Sequence, residues 1–133
     1  MKTVIGLFSA CILVLLSPHA HAGSTTPARQ MENLISLSGV QPNTRRGQQF
    51  FTNQQGRDWS CASCHTADPT AVGKDLKTGN VIQPMAPSAN PDRFTDAAKT
   101  EKWFRNNCSS VISRECTPEE KSDVLAWLLS LKR

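Results

Sequence analysis

Histidine is scarce in this chain: three occur in 133 residues, and two of them, His19 and His21, stand within the first 22. Basic residues outnumber acidic ones only 15 to 11. They form no run and are not interleaved with aromatics, so the electrostatic footprint of a nucleic-acid binder is missing. So mild an excess leaves room only for a weak preference for an acidic redox partner. The sequence has no internal repeat, no low-complexity tract and no alternation of the kind a half-buried strand needs. Its longest apolar run, Val4 to Leu16, is too short to span a bilayer. No membrane anchor is expected.

That run has a better use. Lys2 precedes it, Pro18 breaks it, and Ala20-His21-Ala22 has the small-x-small pattern of a cleavage site. Residues 1–22 are expected to be a signal peptide. Cys11 stands early, with more apolar chain after it, and does not fit lipid attachment. Residues 23–133 are then one small exported domain, placed in the periplasm. Loss of Lys2 lowers its formal charge from +4 to about +3.

Four cysteines remain, Cys61, Cys64, Cys108 and Cys116, with one histidine, His65. An even number in an exported chain suggests pairing. The first two belong to Cys61-Ala62-Ser63-Cys64-His65. In Cys-x-x-Cys-His two thiols add across the vinyl groups of a haem, and the adjacent histidine is placed to bind its iron. Covalent attachment also retains the cofactor in a domain too small to hold it by burial. Zinc would need both remaining cysteines as ligands, at a spacing without the usual second knuckle. A thioredoxin-like thiol pair would need a βαβ setting that is absent. The motif predicts one covalent haem c, held by Cys61 and Cys64 with His65 on the iron.

With no second histidine, the other side of the iron needs another group. Met85 follows Pro84 in a loop expected to cover that side, and a thioether there raises the potential of an electron carrier. The competing role for Met85 is filling an apolar gap. Met31 belongs to an amphipathic helix and is expected to pack. Cys108 and Cys116 are close enough in sequence for a disulfide around the loop Ser109 to Glu115, a staple of a few kcal/mol. Asn106 and Asn107 stand against that staple and read as the end of the preceding helix.

Four helices are predicted besides the haem motif. Pro27 to Ser38 follows Thr26 and turns Met31, Leu34, Ile35 and Leu37 inward; Thr44 to Thr52 carries Gly47 and Phe51 one turn apart. Thr95 to Asn107 carries Ala98, Trp103 and Phe104 after Phe94. Thr117-Pro118-Glu119-Glu120 opens the last helix with a capping box, followed by Val124, Leu125, Leu128 and Leu131. Gly47 and Phe51 should meet Leu125 and Leu128 where two helices cross. Residues 66–94 read as a long loop, which in a small domain needs something to wrap around. Trp59, Trp103 and Trp127 are expected to pack on haem or helices, and Arg93 is a candidate partner for a haem propionate. The class is all-α.

The run APSANPDRFTDAAKTEKWFRNNCSSVISRECTPEEKSDVLAWL, with RRGQQFF and CASCH before it, resembles the sphaeroides haem protein family over essentially all of residues 23–133. The resemblance implies a class I cytochrome c fold. It also implies that the sixth ligand of the ferric haem is the asparagine directly before the first cysteine of a disulfide. That position is Asn107, beside Cys108, with Cys116 as its partner; Asn106 does not match. Members release the asparagine on reduction and then bind diatomic gases (O2, NO and CO), and their redox partner is a dihaem cytochrome c. Met85 stands where the family requires no methionine and stays a rival ligand. An amide oxygen is a hard, weak donor, better matched to ferric than to ferrous iron. Three functions follow: an electron-transfer cytochrome with a redox-opened site, an ordinary Met85-ligated carrier, and a haem enzyme turning over oxygen or nitric oxide. No acid–base group beyond Asn107 is evident near that site, which argues against dedicated catalysis.

Overall fold

A computed structural model describes residues 24–55 and 58–132; the expected signal peptide, residues 1–22, lies outside them. Five helices follow in order, α1 Pro27–Ser38, α2 Thr44–Thr52, α3 Cys61–His65, α4 Ala97–Ile112 and α5 Pro118–Ser130. Two two-residue strands, β1 Gly73–Lys74 and β2 Val81–Ile82, lie between α3 and α4. Among the described residues no helix is long and apolar enough to cross a membrane.

Local chemistry sets most of the helix ends. Thr26 accepts from Arg29 N–H, Asn43 from Arg46 N–H and Asp96 from Lys99 N–H, so each side chain satisfies one donor the first turn leaves free. At α5, Thr117 and Glu120 form the capping box reciprocally, and Pro118 occupies the first turn. Gly39 ends α1 at φ 68°, donating to the Ile35 carbonyl.

α5 is the centre of the molecule, with α2 and α1 packed across it. Phe51, Phe94, Val124, Leu125, Trp127 and Leu128 form the core, and the Phe51 and Trp127 rings lie 5.1 Å apart. The crossing of α2 and α5 is as close as backbones allow. A Cβ on Gly47 would fall on the Asp123 carbonyl and the Val124 amide. Asp123, although 2% exposed, is fully partnered. It accepts from Asn43 N–H at 2.6 Å, from Arg46 NH2 at 2.9 Å and from Arg46 Nε. A buried carboxylate without those donors would be costly.

Four details differ from the sequence reading. In α1 the inward stripe is Gln30, Met31, Leu34 and Ile35, and Leu37 is 74% exposed. Leu37 stands in the last turn of α1, one residue before the helix ends. Buried Gln30 uses its amide on the Phe94 carbonyl and, at 3.3 Å, on Thr100 Oγ1. Second, α4 does not stop at Asn107. It runs on to Ile112 and ends at Ser113, in the left-handed region at φ 64°. Asn106 and Asn107 are helical residues because the half-buried stripe of Phe104, Cys108, Val111 and Ile112 carries the helix past them. Third, Trp103 is 50% exposed, one position off that stripe, while Trp127 is buried. Fourth, residues 66–94 contain the small ribbon of β1 and β2, with Gly73 opposite Ile82 and Lys74 opposite Val81.

Candidate functional site

The Cys-x-x-Cys-His segment is one turn of helix, α3. Ser60 N–H donates to the Ser63 hydroxyl at 2.9 Å and Ser63 N–H to the Ser60 carbonyl at 3.1 Å, which winds the turn from its start. Cys61 and Cys64 are both free thiols and half-buried. Burial pushes the Cys61 thiol up to about 11, with the neighbouring Cys64 adding to the shift. The His65 ring stands 6.0 Å from the ring of Phe51 and so faces the core. Burial first, and then the charge of Arg93, lower the His65 imidazolium to about 4. The ring is therefore neutral at physiological pH, the form that presents a lone pair to a metal.

Thr66 ends α3 at φ 65° and ψ 164°, a conformation a β-branched residue rarely takes. Its hydroxyl donates to the Asp68 carbonyl at 2.6 Å, and the chain turns back over the helix it has just left. Gly73 then lies against α3: a Cβ there would strike the Cys64 carbonyl and come within 3.1 Å of His65 Cα. In the sequence Gly73 falls only within the long loop of residues 66–94. Its role is close approach of two backbones.

Met85 is tied to this same side. Met85 N–H and Ala86 N–H both donate to the Pro69 carbonyl, at 2.8 and 3.0 Å, and Pro69 stands four residues after His65. The Met85 side chain packs onto the core cluster that contains Phe51. Arg93 secures the segment from the other edge. It donates to the Pro84 carbonyl at 2.9 Å and to the Gln83 carbonyl at 2.6 Å, while Asn90 Nδ2 reaches Pro84 at 3.3 Å. The Arg93 guanidinium is thus a strap across residues 83 and 84.

Asn107 lies on α4, on the other side of the chain's long loop. It is exposed, and its amide has no hydrogen-bond partner among the described residues; Asn106 is the same. Directly after it, buried Cys108 is disulfide-bonded to Cys116, with the Cα atoms 5.7 Å apart. α4 stands further from the other helices than α1 and α2 do from α5, and side chains hold it in place. One link is the disulfide. A second is Lys121 of α5, 7% exposed, which donates to Glu101 at 2.6 Å and lies 5.9 Å from the Phe104 ring. Sequence reading missed this pair. A lysine three places before an apolar stripe reads as solvated, and only the placement of α4 over it buries the amine.

The donor set fits a covalent haem c and fits a zinc cage badly. Cys108 and Cys116 are bonded to each other, which removes the two ligands zinc would need. Among the described residues no three His, Cys, Asp or Glu side chains gather to hold a metal ion. What α3 offers is two unpaired thiols and a neutral imidazole on one turn, with Cys61 and Ala62 packed against the core.

A family model described as a domain of unknown function, DUF1924, matches residues 38–128. The chain is 48% identical over 119 residues to the cytochrome c-type protein SHP of Cereibacter sphaeroides, covering 86% of this chain and 91% of that one. The solved structure of oxidised SHP, an oxygen-binding cytochrome c, superposes with a TM-score of 0.77 at 45% identity, covering 82% of this chain and all of the other. Cytochrome c'' of Methylophilus methylotrophus is 34% identical over 140 residues, covering 98% of this chain and 94% of that one. Its solution structure, which concerns haem-ligand detachment, gives a TM-score of 0.69 at 33% identity over 80% of this chain and 94% of that one.

Proposed function

This chain belongs to the sphaeroides haem protein family of c-type cytochromes, a monohaem protein with covalent haem c, and from that premise we propose that it is an exported electron-transfer cytochrome with a redox-opened gas site. When bound, the haem c supplies a one-electron iron couple and a coordination position that a diatomic gas can take. Cys61 and Cys64 anchor it through thioethers, and His65 is the permanent ligand. Asn107 is the second ligand of the ferric state only.

The observation that carries this reading is the tethering of Met85. Two backbone N–H groups of its segment are spent on the Pro69 carbonyl, and its side chain packs against the cluster that includes Phe51, which faces His65. That tethering supports a packing role for the thioether. Asn107 comes from the separate helix α4 with an uncommitted amide. An amide oxygen is a neutral, hard donor, and reduction weakens its hold more than it would a thioether's. The disulfide at Cys108 keeps the Asn107 backbone in place while the side chain is released, so that oxidation restores the bond. The freed amide NH2 donates hydrogen bonds, the part a distal histidine plays elsewhere. The detachment studied in cytochrome c'' and the oxygen binding of SHP are the corresponding properties of relatives. Oxygen, nitric oxide and carbon monoxide are the expected ligands, a dihaem cytochrome c the expected partner, and the periplasm the expected location.

The test is the absorption spectrum of the dithionite-reduced protein with and without carbon monoxide. A high-spin ferrous spectrum that shifts on adding carbon monoxide supports release of Asn107. A low-spin ferrous spectrum indifferent to the gas overturns it and assigns Met85. The Asn107→Leu variant should lose its low-spin ferric spectrum and release dioxygen faster than wild type.

A further inference from the structure

We propose that the ribbon of β1 and β2 is the docking surface for the electron-transfer partner, and that the partner is a redox protein whose contact face is apolar with a carboxylate rim. This rests on the electron-carrier reading above. The register of the ribbon sorts its side chains. Gly73 and Ile82 face each other and turn inward, Gly73 against the backbone of Cys64 and His65. Lys74 and Val81 form the outward pair.

Three large apolar side chains are exposed on or beside that outward face: Val72 at 55%, Leu76 at 53% and Val81 at 66%. Single exposed aliphatics need no explanation, but three within ten residues form a patch. None of them supports the fold. The charge at its rim is net positive, Lys74 and Lys77 against the one carboxylate of Asp75, which accepts from the Lys77 and Thr78 N–H groups of the turn. Lys74 and Lys77 have no ion-pair partner among the described residues. Lys77 instead sits 5.5 Å over the Trp59 ring, which fixes its charge beside the patch. A small apolar patch with an unpaired cationic rim suits a brief encounter steered by opposite charge. Its position one backbone layer from Cys64 and His65 puts the partner beside the attachment helix. In the encounter the partner is oxidised by one electron and this cytochrome is reduced by one, with no proton transferred.

A reduced acidic flavodoxin serves as the probe, with dithionite as the small-molecule control. Wild-type reduction by flavodoxin should slow as salt is raised. The K74E/K77E variant should react about tenfold more slowly at low salt and lose most of that salt dependence. V72S/V81S should react about threefold more slowly with the wild-type salt dependence retained. Dithionite should reduce all forms equally fast. Amide shifts on adding oxidised flavodoxin, where no electron passes, should cluster at residues 72–82. Wild-type rates in both variants overturn the proposal. So does equal slowing with dithionite, amide shifts located elsewhere, or a loss produced instead by K99E/K102E on α4. The carbon monoxide test reads Asn107 and leaves this surface untouched, so either idea fails alone.

Discussion

Gly47→Ala sets two known effects against each other, and the structure decides the sign. In an exposed helix interior the change gains about 1 kcal/mol, because alanine loses less backbone entropy. At residue 47 the new methyl would fall on the Asp123 carbonyl and the Val124 amide. Those are backbone atoms of α5, so no rotamer change relieves the clash. The helices must separate by roughly 1 Å, a gap that forfeits about a quarter to a half of the dispersion energy across the contact. Phe51, Leu125 and Leu128, each at most 1% exposed, are packed at this crossing. Burial of such side chains contributes about 1.5–3 kcal/mol each, so the separation costs roughly 2–4 kcal/mol in all. The net effect is destabilisation by about 2 kcal/mol, or roughly 10 °C in melting temperature for a domain of this size. Thermal unfolding of the ferric holoprotein, followed by far-UV circular dichroism, measures it. A Gly47→Ala variant as stable as wild type would refute the close-crossing argument.

Two further outcomes follow from the links around α4 and α5. Removing the staple in C108A/C116A opens a loop with a sequence separation of 8, and loop-closure entropy puts the loss at about 2.5 kcal/mol, roughly 10 °C in melting; the low-spin ferric spectrum should also return more slowly after reoxidation, and an unchanged melt would show that the disulfide is not what holds α4. For Glu120, the Arg114 hydrogen bond, ahead of the opposing effect of burial, lowers the carboxyl from its ordinary value of 4.5. A lowered folded-state value means stabilisation that is complete above the unfolded value and fades as pH falls through the folded one. E120Q keeps the capping acceptor but not the charge, so its stability deficit in urea should be constant from pH 7 to pH 5 and shrink below about pH 4.5; a deficit independent of pH counts against the Arg114 pair.

Which parts of the fold could be read in advance follows from how local their causes are. α1, α2 and α5 start where a threonine or asparagine side chain takes up the first free N–H, within three residues of itself. Gly47 was legible because it stands one turn from Phe51 on an otherwise polar helix, leaving the crossing as its only use. The errors come from causes outside the reading window. Asn106-Asn107 has good helix-ending composition, yet Cys108 must face Cys116 across α4, and the apolar stripe beyond it keeps the helix wound to Ile112. The ribbon was invisible because strands of two residues have no period to detect. Gln30 stands outside the apolar pattern of α1, but Phe94 sits at φ 61° and its carbonyl accepts from the Gln30 amide, since a buried carbonyl needs a donor.

The site divides the same way. Cys61, Cys64 and His65 are readable because the chemistry requires them on one turn of chain. The group opposite is not fixed by spacing, and sequence distance misleads: Met85 stands 20 residues from His65 and Asn107 stands 42. Hydrogen bonding reverses that order of promise. The Pro69 carbonyl ties down the Met85 backbone, with Arg93 and Asn90 locking the residues before it. A ligand meant to leave and return needs the opposite setting: a side chain with no other bond to make, on a backbone that cannot drift. Asn107 has an uncommitted amide and a disulfide as its next residue. Lys121 and Glu101 hold the same helix from α5, one and a half turns before it. For the proposed Asn107 ligand, weakness in the bond to iron and rigidity in the mount are one requirement, since a loosely mounted amide would be replaced by water rather than recover its place.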